Sequence, residues 1–287
     1  MLRAFRSLTA LLTVISLLFA SGAWADAAQR EQCEREFSPR SGQAGKDVIW
    51  VPTQEDLVMA MLKAAKVAAD DYVVDLGSGD GRIPIAAAKH FGARAMGLEY
   101  NPQMVKLAQC YVRAEGLEDK VTIKEADIFE TDFSDATVVT MYLLSDLNMK
   151  LRPRILKMKP GTRVVSNSFK MGDWSPDEHI DPEGSYSRGY LWIVPADVKG
   201  KWTFREEGGE RTFEVTFEQE FQEIKASASG NGAPSVQDAT LRGADIQLTL
   251  VDANNAPRTF KGQVEDDRIR LTGRVDGKPV TYVGQRR

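Results

Sequence analysis

Asp75-Leu76-Gly77-Ser78-Gly79-Asp80-Gly81-Arg82 decides the fold of this 287-residue chain. The apolar run Tyr72-Val73-Val74-Asp75-Leu76 reads as a buried strand, and the Ala-rich stretch 83–90 reads as a helix. Between them, glycines let the backbone turn tightly and approach a ligand closely. The N-terminus of the following helix favours a negatively charged group. A dinucleotide site needs G-x-G-x-x-G, with a small residue at position 82. Position 82 is Arg and the glycines run G-x-G-x-G, which excludes a nicotinamide-dependent oxidoreductase.

Outward from this turn, strand-like and helix-like segments alternate. Residues 54–69 carry Leu57, Val58, Met61, Leu62 and Ala65 at helical spacing. Strands are expected at 93–99, 121–128, 137–144 and 162–169. Helices are expected at 102–114, opened by Pro102, and at 147–158, where Pro153 should kink or divide the helix. This alternation predicts parallel βαβ units in a doubly wound, Rossmann-like α/β domain over 50–195. From about Val194 the pattern changes to strand alternation: Phe213, Val215, Phe217, then Ile246, Leu248, Leu250, then Ile269, Leu271. Turn signals at Glu207-Gly208-Gly209, Asn231-Gly232, Asn254-Asn255 and Asp276-Gly277 separate the runs. A small antiparallel β domain, barrel or sandwich, is expected over 200–287.

Two further acids give the glycine turn its meaning. Glu99 closes the second expected strand, where a carboxylate can accept from both hydroxyls of a ribose. Asp127 closes the third. With Asp75, they fall at the carboxyl ends of neighbouring strands, where open α/β sheets bind ligands.

These residues, with Val51-Pro52-Thr53, Gly97-Leu98-Glu99-Tyr100-Asn101-Pro102, Thr140-Met141-Tyr142-Leu143-Leu144 and Leu151-Arg152-Pro153, resemble class I S-adenosylmethionine-dependent methyltransferases. The likeness is to the small seven-strand group that includes mitochondrial enzymes modifying lysines of the ATP synthase c subunit and of the adenine nucleotide translocase. It covers about residues 50–195. It implies S-adenosyl-L-methionine as cofactor, held by Thr53, Asp75, Gly77, Ser78, Gly79, Gly81, Glu99, Tyr100, Asp127 and Ile128. Asp127 would meet the adenine, and the helix N-terminus the methionine carboxylate. The acceptor would be a protein or small-molecule nucleophile, with lysine suggested. Tyr142 would line the methyl-transfer pocket, and Asp173 and Trp174 its opposite wall. Two departures flank that side: Leu144-Ser145 stands where relatives often read Leu-Leu-Pro, and Lys170 stands where an acid is expected.

The remaining features concern compartment and partners. Arg3 and Arg6, the apolar run 8–20 and Ala23-Trp24-Ala25 form a signal-peptide pattern over 1–25. It predicts a periplasmic or secreted protein beginning at Asp26, with a membrane partner only if the segment stays uncleaved. Cleavage removes two arginines and no acid, taking the net charge from −4 to −6. Without a broad basic footprint, no nucleic-acid partner is expected. Residues 26–49 are charged and Gly/Ser-containing and are expected to be poorly ordered. Cys33 and Cys110 do not make a framework, and no bond between them is expected. Isolated His90 and His179 give no metal site. Export conflicts with a cytosolic supply of S-adenosylmethionine, so the alternative is a non-catalytic envelope binding protein on a methyltransferase fold.

Overall fold

The computed structural model describes residues 28–252 and 254–287; the expected signal peptide lies outside the described residues. Residues 28–36 form helix α1. There follow α2 (Glu55–Ala64), β1 (Tyr72–Leu76), α3 (Arg82–Phe91), β2 (Arg94–Glu99), α4 (Pro102–Ala114), β3 (Val121–Glu125), β4 (Val138–Met141), α5 (Ser145–Ile155), β5 (Arg163–Asn167), β6 (Glu178–Ile180) and β7 (Gly189–Ile193). The strands make one sheet in the order β3-β2-β1-β4-β5-β7-β6. β1 runs parallel to β2 and to β4, and β2 to β3. The strand order reverses between β1 and β4, so their carboxyl ends flank the crevice where doubly wound sheets bind ligands. Among the described residues no helix is long and apolar enough to cross a membrane.

The sheet forms where apolar side chains leave water on both faces. Val73, Val74, Leu76, Leu98, Val138, Val139 and Met141 are buried. In α4, Pro102 occupies the first turn and Asn101 caps it, its side-chain oxygen accepting from Gln103 N–H. α5 runs through Pro153 and ends two residues later, rather than dividing there. β3 stops at Glu125, short of the expected 128. Past it, Asp127 Oδ1 accepts the Phe129 N–H at 2.9 Å, an Asx turn that draws the chain out of the ladder.

The segment expected to be poorly ordered is instead built onto α4. A disulfide joins Cys33 of α1 to Cys110. Beside it, Arg30 pairs with Glu115 at 2.8 Å and the Tyr111 hydroxyl donates to Glu34 at 3.0 Å. Cys33 and Cys110 meet because α1 lies along α4, a long-range adjacency that two isolated cysteines do not announce.

The chain divides into two compact units. One comprises the described residues through Leu144 with Val165–Phe169 and Ile180–Tyr190; the other comprises the described residues of Ser145–Val164, Lys170–His179 and Leu191–Arg287. This division differs from the boundary expected between 195 and 200. In the second unit the segment after β7 is tied inward: Val194 N–H donates to Thr162 C=O at 2.9 Å and Ala196 N–H to Gly243 C=O at 2.8 Å, and Val194, Ala196 and Val198 are buried.

That unit carries an eight-stranded antiparallel sheet: β8 (Gly200–Glu206), β9 (Thr212–Glu220), β10 (Glu223–Ser229), β11 (Ser235–Arg242), β12 (Asp245–Val251), β13 (Pro257–Glu265), β14 (Arg268–Val275) and β15 (Lys278–Arg286). The order is β10-β9-β8-β15-β14-β13-β12-β11, and the edge strands β10 and β11 approach each other, giving a nearly closed barrel. The alternating residues read from the sequence all point inside. Aromatic rings fill the lumen: Phe204 stacks on Phe213 at 5.7 Å, and Tyr282 packs against Phe213 at 5.2 Å and Phe260 at 5.0 Å. Glycines make room for them. A Cβ at Gly273 would lie 2.5 Å from the Phe260 ring, and one at Gly284 2.6 Å from Phe204.

Candidate cofactor and acceptor site

The glycine turn follows β1 directly. Gly77, Gly79 and Gly81 have φ of 77°, 55° and 79°, a region open to glycine and costly for other residues. Gly77 and Ser78 N–H groups both donate to Leu98 C=O, pinning the turn to the end of β2. Asp75 is fully buried in β1, opposite Thr140 of β4, whose hydroxyl donates to it at 2.7 Å. Burial pushes its carboxyl up to about 7; the Thr140 hydrogen bond opposes the shift, and Asp80 and Glu99 add to it.

Glu99 faces the turn from β2. Its Oε2 accepts the Gly79 N–H and its Oε1 the Asn101 N–H, both at 2.8 Å. A carboxylate offers about four acceptor positions. Two remain, which matches a vicinal diol. Further along, Asp127 Oδ1 takes the Phe129 N–H, while Oδ2 meets the Lys46 ammonium at 2.5 Å. That ammonium also lies 4.4 Å over the Tyr100 ring, and Tyr100 is 52% exposed. The shared hydrogen bond holds the Asp127 carboxyl below its ordinary range and the Lys46 pKa above its own. The glycine turn, Glu99, Tyr100 and Asp127 therefore form one open cradle of backbone, diol acceptor, ring face and carboxylate, and this donor and acceptor set fits S-adenosylmethionine. Ile128 follows in the same loop, half-buried.

Several supports were not visible as a pattern. Arg82, read only as excluding a dinucleotide, forks onto Asp80 (Nη2 to Oδ2 2.6 Å) and donates from Nη1 to Thr53 C=O at 2.7 Å. The Thr53 hydroxyl accepts from Asn167 Nδ2 at 3.1 Å. Thr53 is thus held from both sides, and Asn167 marks the end of β5. Ser78, buried in the turn, lies against Gly97: a Cβ there would be 2.5 Å from Ser78 Oγ.

On the acceptor side, Tyr142 follows β4 and Phe169 follows β5, their rings stacked with centroids 6.2 Å apart. Ser168 turns the chain at φ 63°, with its hydroxyl on Asn167 Oδ1 at 2.7 Å, and so presents Phe169. Asp173 and Trp174, expected as the opposite wall, belong to the second unit. Trp174 is fully buried: its Nε1 donates to Gln222 at 2.8 Å and its ring stacks on Phe221 at 5.8 Å. Asp173 is exposed and paired with Arg152, which keeps its carboxyl below the ordinary range. A tryptophan and an acid after a strand end carry no mark distinguishing core from pocket.

The model of the ANTKMT methyltransferase domain family matches residues 75–178 and ends before the antiparallel strands. A protein-lysine N-methyltransferase of Saccharolobus islandicus is 46% identical over 151 residues, covering 51% of this chain and 94% of that protein. The adenine nucleotide translocase lysine N-methyltransferase of Mus musculus is 35% identical over 105 residues, 36% of this chain. The chain spans about half (46%) of that relative's length. A solved structure of a Salinibacter ruber RNA methyltransferase with S-adenosyl-L-homocysteine is 46% identical, covers 52% of this chain and 96% of that one, and superposes with a TM-score of 0.50. The Saccharolobus relative, matched over nearly its whole length, shows the family: this chain belongs to the S-adenosylmethionine-dependent methyltransferases, with S-adenosylmethionine as methyl donor.

Proposed function

We propose that the protein transfers a methyl group from S-adenosylmethionine to the side-chain amine of a lysine in a protein substrate. The observation that carries the cofactor half is Glu99, which spends one acceptor position of Oε2 on Gly79 of the glycine turn and one of Oε1 on the Asn101 N–H, and keeps two for a ribose. The acceptor half is supported by the lysine methyltransferases among the relatives and by the stacked Tyr142–Phe169 pair. When bound, the cofactor supplies an electrophilic methyl on a sulfonium. The protein aligns a nucleophile with it and keeps water away. The aromatic faces of Tyr142 and Phe169 favour an approaching cation, and burial beside positive charge lowers the pKa at which a lysine gives up its proton. The N-terminus of α3 and the glycine turn would hold the methionine carboxylate.

Glu99→Ala should weaken S-adenosylhomocysteine binding by roughly 1–3 kcal/mol, the cost of poorly paired hydroxyls. Calorimetry on the purified full chain, with a melt to check folding, reads it; equal affinity sinks the Glu99 assignment. A second reading, an RNA acceptor, is favoured by the Salinibacter relative. Radiolabelled methyl transfer to protein and RNA fractions of the native host separates the two. We also propose export. The Cys33–Cys110 bond supports an oxidising compartment, and a native start at Asp26 would bear it out; an intact Met1 in the cytosolic fraction would overturn it.

A further inference from the structure

Residues 42–50 form a short hairpin that the proposed chemistry does not use. Gly42 N–H donates to Trp50 C=O at 2.8 Å, Trp50 N–H to Gln43 C=O at 2.9 Å, and Gly45 N–H closes the tip onto Val48 C=O at 2.9 Å. Ala44 and Ile49 bridge the arms antiparallel. The hairpin is anchored on both sides. Upstream, the Cys33–Cys110 bond holds α1 to α4. Downstream, Arg82 and Asn167 hold Thr53. Anchored this way, it brings two side chains onto the cofactor cradle. The Trp50 indole nitrogen lies 2.6 Å from where a Cβ at Gly79 would be. Lys46, near the tip, meets Asp127 at 2.5 Å and lies 4.4 Å over the Tyr100 ring.

We infer that this hairpin is a lid over the nucleoside end of the cofactor site and that Lys46 is its latch, occupying when closed the carboxylate and ring face that adenine takes when it opens. The inference rests on the reading of Asp127 as the adenine contact and of Tyr100 as a cofactor-holding residue, and takes the Tyr100 ring face as the one the adenine stacks on. Asp127 Oδ1 already takes the Phe129 N–H and Oδ2 the Lys46 ammonium, so an adenine amino group arriving with the latch closed would share an oxygen with a cation packed against it. A cation and a heteroaromatic ring likewise compete for the same face of Tyr100. Cofactor entry must therefore displace Lys46, and affinity is reduced by the fraction of molecules that are latched. Because the hairpin is tethered at both ends, the latch swings aside and remains close enough to return.

The test uses the purified full chain, with S-adenosylhomocysteine titrated by calorimetry. This ligand has no net charge at neutral pH, so salt acts mainly on the latch. Lys46→Ala should tighten binding several-fold. Wild-type affinity should rise as salt goes from about 0.05 to about 0.5 M, because screening weakens the Lys46–Asp127 pair, while the variant should be nearly flat. Lys46→Arg, which keeps the charge, should stay close to wild type. Weaker binding by Lys46→Ala would make Lys46 a cofactor contact and overturn the latch; so would equal binding with equal salt dependence. If neither protein binds the ligand, the cofactor-site reading itself fails and the lid falls with it, a result distinct from the other two.

Discussion

Replacing both cysteines of the Cys33–Cys110 bond with alanine tests how α1 is held. The two lie 77 residues apart, and the closed loop contains β1, the glycine turn, α3, β2 and most of α4. In the chain-entropy account, opening a loop of that length returns about 4.5 kcal/mol of freedom to the unfolded chain at 25 °C. Alanine is preferred to serine because Cys33 is buried, and a hydroxyl there would add its own desolvation cost. The Arg30–Glu115 and Tyr111–Glu34 contacts survive and do not offset the loss, because they act in the folded state only. Urea unfolding of oxidised wild type, reduced wild type and the double variant gives the answer. At about 2–3 kcal/mol per molar for a unit of this size, the midpoint of the first unit should fall by about 1.5–2 M, equally in the last two samples. A fall under about 0.5 M in both would refute the entropic reasoning. A large fall in the variant with none on reduction would assign the loss to packing of the cysteine side chains.

Asp75 should give a pH signature. Its folded pKa is raised to about 7, so between about pH 4 and 7 the folded state keeps a proton that the unfolded chain has lost. Stability should therefore fall as pH rises through that window and level off above it. Asp75→Asn, which can still accept from Thr140, should remove that part of the fall; parallel urea midpoints for the two proteins at pH 5 and pH 8 would contradict it. In the barrel, Gly273→Ala drives a Cβ to 2.5 Å from Phe260 and should cost about 1–3 kcal/mol, with Phe260→Leu restoring part of the loss. Additive effects in the double variant would show that the ring does not rest on Gly273.

What was legible in the sequence is what local chemistry dictates. The glycine turn, the strand-end position of Glu99 and the two-residue alternation of the barrel each follow from short-range rules, and each is where the sequence placed it. Asp127 was found for its type, though it lies two residues past β3, because an Asx turn replaces the ladder there. What escaped depends on long-range adjacency. Lys46 reaches Asp127 across 81 residues, Cys33 reaches Cys110 across 77, and Asn167 reaches Thr53 across 114. Trp174 shows the same limit: its type suggested a pocket wall, and its burial against Phe221 and Trp192 was not legible from its neighbours in the chain.

The pairing of β8 with β15 has a consequence for the order of events in synthesis. β8 is hydrogen-bonded to β9 on one side and to β15 on the other, so a strand beginning at residue 200 needs a neighbour that ends at residue 286. While the polypeptide emerges, β8 to β10 and then β11 to β14 can zip as successive hairpins, but one edge of β8 stays open until β15 arrives. Such sequence-distant pairing is slow because its loop entropy is spent before the contact forms. An open strand edge during that interval is a template for pairing with another nascent chain. The barrel thus ties its own yield to how soon β15 is made after β8, and shortening β15 should show first as aggregation during expression.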